Sequence, residues 1–263
     1  METEQKKGLY KWVFMLALPI VLQNVISFSV GLADNLMVGS LGELALSGVY
    51  VANQLQNMLQ MLVMGLSAAL TILTTQYWGK RDIERIKNII GIALKFSIGA
   101  GFLLLIATLF FPSQILRFFS DDFDVIAEGL KYLRIIRFTY IFFCITQVLI
   151  ASMRSVEKVK IGMNLSIVTF FVNVFLNWVF IFGNLGAPAL GVQGAAIATL
   201  ISRILETVIM VCYIRFVDSN LKIKFKELVK SDFSLVKDFF KFGLPVILGD
   251  IFWGINLTVQ GAI

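Results

Sequence analysis

The sequence predicts an all-α polytopic membrane protein: a six-helix lobe, then a seventh helix that begins a parallel repeat. Three observations predict it. Of the 263 residues, 58% are hydrophobic and only 15% charged, against about 25% charged in an ordinary soluble protein. Mean hydropathy is +0.83, and a soluble fold of this size has no interior large enough to hide that much apolar surface. Seven apolar stretches each reach the ~20 residues needed to cross ~30 Å of hydrocarbon. Lastly, the beginning of the chain recurs near its end at a spacing of 226 positions.

The seven stretches run Trp12 to Val38, Val49 to Tyr77, Ile89 to Phe111, Tyr132 to Met153, Ile161 to Phe182, Val192 to Phe216 and Phe239 to Ile263. The first is too long for a signal-peptide core and no small-residue cleavage site follows it. Their helical periodicity is weak, as lipid-solvated helices allow.

Basic residues set the expected orientation. The start of the chain carries Lys6, Lys7 and Lys11, and the second-to-third connection carries Lys80, Arg81, Arg85 and Lys87. Arg154, Lys158 and Lys160 follow the fourth stretch, and seven more lie between Arg215 and Lys241. The connections after the first and fifth stretches carry none, so the positive-inside rule places the N-terminus in the cytoplasm. The net charge of +6 is therefore read as a topology signal, with no nucleic-acid partner. Residues 1–217 form the expected six-helix lobe, 218–238 a solvated amphipathic linker along the cytoplasmic membrane face, and 239–263 the first helix of a second lobe.

The repeat fixes that last boundary. Lys11, Phe14, Leu18, Pro19 and Leu22 return as Lys237, Phe240, Leu244, Pro245 and Leu248. Six intervening helices are an even number, so both copies enter the membrane from the same side, as in parallel-repeat transporters. The chain is expected to be either a truncated product or a half-length protein with one extra helix.

Composition also excludes chemistry. Without a single His there is no zinc-protease, Ser-His-Asp, Cys-His or haem-His site. Cys144 and Cys212 fall in separate apolar stretches without CxxC spacing and read as packing residues. No enzyme is expected. The glycines at 183, 186, 191 and 194 fit neither a phosphate-binding loop nor a dinucleotide fingerprint. They read as a tight turn followed by close helix packing, so any pumping must draw on an ion gradient, with no cofactor beyond the coupling ion.

Polar groups inside hydrocarbon are costly and mark function by default. Asp34 is the one carboxylate of the first stretch, about 22 Å beyond Pro19 along a helix. Pro19 removes a backbone hydrogen bond and permits a bend. Asp34 is read as a site for a proton or cation, against a solvated interfacial residue. In the second stretch Asn53, Asn57, Gln60, Met64, Ser67 and Thr71 share one face, either as a wall of a wet substrate cavity or as interhelical glue. Thr169, Asn173 and Asn177 repeat at spacings of four, and amide oxygens beside a carboxylate suit sodium. Arg203 and Glu206, three apart, read as an intramembrane ion pair.

These residues, with the segments LALPIVLQNV from Leu16, GLADNLMVGSLG from Gly31, TTQYWGKRD from Thr74, VNVFLNWVFIFG from Val172, GVQGAAIAT from Gly191 and GLPVILGDIFWGIN from Gly243, resemble the multidrug and toxic compound extrusion (MATE) family of secondary transporters. The order of the segments matches across nearly the whole chain. The resemblance implies a transporter lobe of six helices facing a second such lobe across a cavity. It also implies efflux of organic, often cationic small molecules by antiport against Na+ or H+, with alternating access, across a bacterial-type plasma membrane. Asp34, Asn173, Asn177 and Thr199 stand where the family places an ion site in the first lobe, and Asp34, Asn173 and Asn177 where it would hold Na+. Some members carry Asp at the Asn177 position. Asp250 is a candidate acidic site of the second lobe. The second lobe, or self-association, is the expected protein partner beside the lipid bilayer. Other readings are a lipid-linked oligosaccharide flippase of the same superfamily, a non-functional truncated fragment, and a seven-helix receptor. The last lacks a lysine between Phe242 and Ile263 for a retinal Schiff base.

Overall fold

The computed structural model of the chain describes residues 2–221, 223, 227–228 and 232–261, with the side chains at 2–7, 9, 233, 247, 250–251 and 253–261 excluded. The Asp250 side chain and much of the expected linker therefore lie outside what is described. Those described form helices and connections, with no strand among them. In chain order the helices are α1 (Glu2–Gly39), α2 (Glu43–Gly79), α3 (Ile83–Phe110), α4 (Pro112–Arg117), α5 (Phe123–Ile136), α6 (Thr139–Ser155), α7 (Lys160–Phe182), α8 (Val192–Cys212, continued by a π turn to Val217) and α9 (Phe233–Gly261).

Among the described residues, five helices are long and apolar enough to cross a membrane, six if α5 and α6 count as one span. The fourth apolar stretch corrects the single straight helix expected from sequence: α5 and α6 meet at 57°. No proline causes the bend. Phe138 and Tyr140 donate instead to carbonyls three residues back, Ile135 at 3.2 Å and Arg137 at 3.4 Å, which tightens the turn. Arg137 pins the corner by donating from Nη1 to the Thr108 carbonyl at 3.3 Å. That carbonyl is one of the orphan acceptors at the end of α3, where a cation also meets the negative pole of the helix.

Helix α2 is the central element, packed by α3, α5, α6 and α9, while α8 packs on α5, α6 and α7. Two apolar cores result. One gathers around the α2–α3 turn, with Leu70, Ile86, Ile89, Met153 and Leu165 almost fully buried. The other joins α2, α5 and α8 through Leu55, Leu133, Ile136, Ala195 and Ala196. Glycine permits the tightest crossing there. A Cβ on Gly48 would stand 2.7 Å from the Gly129 nitrogen. Large apolar side chains such as Phe28, Leu103, Phe110 and Phe171 point outward, as a lipid-facing surface requires.

Pro19 lies within an unbroken α1 and is buried. Its missing N–H leaves the Met15 carbonyl without the usual partner, a point of weakness without a break.

The connection after α8 is only partly solvated where it is described, with Ser219, Asn220 and Asp232 exposed but its apolar positions turned inward. Leu221, Ile223 and Leu235 are buried in the first core and Leu228 packs against it. The Leu228 carbonyl sits where a Cβ on Gly91 would stand, 2.5 Å away. Lys87 bridges Glu227 at 2.8 Å. The segment is thus a strap docked on the lobe. Spaced lysines gave it the look of a surface linker, but Leu221, Ile223, Leu228 and Leu235 face the protein.

Asp218 anchors the strap. Its carboxylate accepts from Lys158 Nζ and from the Leu221 N–H at 2.8 Å. Burial by itself would raise its pKa, but the Lys158 hydrogen bond, the Leu221 N–H and the Lys158 charge together hold it below the usual carboxylate range. A lowered folded-state pKa contributes stability above the unfolded value, lost as pH falls through the folded one. Asp218→Asn is therefore expected to cost about 1–3 kcal/mol at pH 7. The difference from the parent should shrink below about pH 4. Thermal unfolding in detergent across that range checks it, and a gap constant with pH would show that the charge contributes nothing.

Candidate functional site: a polar junction between α1, α5, α7 and α8

Asn173 and Asn177 occupy successive turns of α7, 2% and 0% exposed, on the face that receives α1. Four-residue spacing stacks their amides. Asn177 Nδ2 donates to Asn173 Oδ1 at 3.2 Å and to Asp34 Oδ1. Three of the four residues expected to form an ion site, Asp34, Asn173 and Asn177, are therefore one connected group. Asn177 Oδ1 is buried and has no donor, leaving an acceptor beside the carboxylate that a cation or a proton donor would satisfy. Among the described residues no cluster of three His, Cys, Asp or Glu exists. The donor set, one carboxylate with amide oxygens, fits a monovalent hard cation and not a transition metal.

Thr169, one turn before Asn173, does not join them: its hydroxyl donates back to the Leu165 carbonyl at 3.0 Å. Thr199 on α8 also stands apart from the amides. Its side chain meets Tyr132 of α5, which also meets Asn53 of α2 and lies within electrostatic reach of Asp34. Tyr132 is 5% exposed and is the residue that sequence reasoning missed. The 57° bend carries it to the junction, and nothing local in the sequence signals that bend.

Arg203 Nη1 bridges Glu206 Oε2 at 2.7 Å, and its guanidinium lies 5.3 Å from the Phe143 ring centroid. The ion pair is present, but Arg203 is not confined to it, since its positive charge also acts on Asp34. The stripe on α2 separates along its length. Asn53 is half-buried against Tyr132, whereas Asn57, Gln60 and Met64 are exposed. They are not glue inside this lobe.

Glycine permits the close approach that fixes α8 against α7. Gly183 ends α7 in the left-handed region at φ 75°, which a Cβ would disfavour. Leu190 and Gly191 then return their N–H groups to the Phe180 and Ile181 carbonyls at 2.9 and 3.3 Å.

The comparisons with known proteins agree with this architecture. A family model described as MatE matches residues 19–179. Among curated proteins, the chain is 27% identical over 245 residues to a probable multidrug resistance protein NorM of Thermotoga maritima, covering 93% of this chain and 52% of that one. It is 28% identical to the like-named protein of Bacillus anthracis, covering 93% and 54%. The chain thus spans about half the length of these relatives. The fold superposes on a multidrug resistance MATE family transporter of the MOP superfamily in its outward-facing conformation. The TM-score is 0.81 at 23% identity, over 92% of this chain and 52% of that one. The inward-facing conformation gives 0.76. A matched family segment that runs from the α1 proline to the last turn of α7 includes Asp34, Tyr132, Asn173 and Asn177, and the chain is a multi-pass membrane protein belonging to the MATE family of transporters.

Proposed function

We propose that the chain is the first lobe of a secondary active multidrug exporter, with Asp34, Asn173 and Asn177 binding the coupling cation, Na+ or H+. The observation that carries this reading is the buried Asn177 carboxamide, which donates to Asp34 while its own oxygen lacks a donor. A cation entering there gains a carboxylate and two amide oxygens at once. Its arrival alters the polar contact, Asn177 to Asp34, that ties the outer half of α1 to α7. Cation binding and the position of α1 are thereby linked, which is what antiport with alternating access requires.

The exposed Asn57, Gln60 and Met64 of α2 suit a wet cavity wall for an organic, often cationic substrate. Its opposing wall would be a second six-helix lobe, in the same polypeptide or through self-association. The membrane in this reading is the bacterial-type plasma membrane, with the N-terminus in the cytoplasm.

The test is reconstitution of the native protein into vesicles with an imposed Na+ or pH gradient and a fluorescent organic cation. Efflux driven by one gradient, and reversed when that gradient is reversed, is the expected result. Movement indifferent to both gradients would end the antiport reading.

Asn177→Asp separates the two ions. A second carboxylate raises the site's charge, and for a sodium site the half-saturating Na+ concentration is expected to fall about tenfold, a gain near 1.4 kcal/mol. An unchanged Na+ dependence in a variant that still transports would assign the site to protons.

A further inference from the structure

The cation site does not account for Gln23. This α1 residue, four positions past Pro19, is only 4% exposed. Its Oε1 accepts a hydrogen bond at 2.8 Å from Nη2 of Arg154, in the last turn of α6. The same carboxamide lies against α7 at Gly162, where a Cβ would come within 2.5 Å of Oε1 and 3.0 Å of Cδ. A side chain at this position would push the Gln23 carboxamide out of its present place.

The register relates this contact to Asp34. Gln23 and Asp34 are eleven residues apart, and so are Gly162 and Asn173. Three helical turns span about 10.8 residues, so each pair shares a face, roughly 16 Å apart along the axis. Helix α1 rests mainly on α7 and meets α2 and α8 only marginally. Among the described residues, two polar side-chain contacts therefore tie α1 to the lobe, one at Asp34 and one at Gln23.

The chemistry of the second contact is that of a joint made to open. Arg154 has no carboxylate partner among the described residues, and its Nε is buried without an acceptor. A permanent brace would pair this guanidinium with a carboxylate, which would add an opposite charge and a second parallel hydrogen bond to the single charge-assisted bond that the Gln23 oxygen accepts. A neutral amide holds less firmly.

We infer that Gln23 is a positioning residue: with Arg154 and Gly162 it forms a releasable second anchor that sets Asp34 against Asn177 and lets go when α1 shifts. The inference rests on the reading of Asp34 as the coupling site.

Two variants of the native protein test it, with spin labels on Phe28→Cys in α1 and Phe175→Cys in α7. Both positions face outward, 76% and 53% exposed. The exposed Cys212 is replaced by Ser in this background. Gln23→Leu is expected to broaden the distance distribution between the labels. It should also raise the half-saturating coupling-ion concentration about tenfold, within the usual range of coupling between sites. Gln23→Glu, which keeps the contact and adds charge, should preserve a narrow distribution and lower kcat about tenfold with KM for drug unchanged. Parent-like distances and ion dependence in Gln23→Leu would overturn the anchor. Parent-like turnover in Gln23→Glu would overturn its release. If Gln23→Leu does not fold, Gln23→Glu still decides. Asp34→Asn run alongside keeps the two readings apart: efflux unaffected there removes the coupling site, while the label distances continue to report on the anchor.

Discussion

Asp34→Asn is expected to cut cation-driven efflux sharply, about 5–150-fold, while leaving the protein folded. The substitution preserves the shape of the side chain and its ability to accept from Asn177 Nδ2, the contact that holds it in the structure. What it removes is the charge. A coupling of 1–3 kcal/mol between ion and substrate corresponds to about 5–150-fold in affinity, so gradient-driven efflux should fall by a factor in that range. Facilitated exchange of drug without a gradient should survive. A carboxylate acting as a structural brace predicts the opposite pattern: a lowered melting temperature with coupling intact in whatever protein folds. Efflux rate and detergent melting temperature, measured on the same preparation, separate the two outcomes. Arg203 supplies a control. Its charge acts on Asp34 from α8, so Arg203→Gln should shift the ion dependence without abolishing it.

Helical geometry explains why the members of this candidate site were legible in the sequence, and the family resemblance why they were read together. Asn173 and Asn177 are four apart, and four residues on a helix always stack. Asp34 is the sole carboxylate of its span, and an intramembrane charge seeks the protein interior. Neither argument needs a tertiary structure. Tyr132 does, because only the α5–α6 bend, built from two backbone hydrogen bonds to carbonyls three residues back and an arginine across the corner, turns it toward Asn53 and Thr199. Arg154 was legible as a charge but not as a contact. It counts toward the positive-inside signal like any basic residue near a membrane end, and its burial against Gln23 depends on a glycine in a third helix. The strap misled for a related reason. Its lysines advertise solvent, whereas Leu221, Ile223 and Leu235 commit it to the core, and a window of mixed polarity does not say which set of residues decides.

The largest loss of stability is expected from Gly194→Val. Most helix pairs accommodate an added methyl group by moving a side chain, but here the obstruction is backbone. A Cβ on Gly194 would lie 2.3 Å from the Phe180 carbonyl oxygen, 2.5 Å from its carbon and 2.8 Å from the Ile181 nitrogen. Those atoms cannot retreat cheaply. The Phe180 carbonyl already accepts from Leu190 at 2.9 Å and the Ile181 carbonyl from Gly191 at 3.3 Å, so opening the crossing breaks the bonds that satisfy the end of α7. Overpacking alone costs about 1–3 kcal/mol, and each buried carbonyl left without a donor adds roughly another 1–3 kcal/mol. Losing both exceeds the reserve of many proteins, so Gly194→Val should yield no monodisperse protein. Gly194→Ala should yield some, with a melting temperature many degrees lower. Gly99→Ala on α3 is the matched control. Nothing lies within 4 Å of a Cβ there, and replacing a helical glycine by alanine contributes up to about 1 kcal/mol of stability. The two alanine variants should therefore move in opposite directions in the same thermal assay. Equal effects would mean that the α7–α8 crossing relaxes freely, and with it the claim that this crossing fixes Thr199 and Arg203 relative to Asn173 and Asn177.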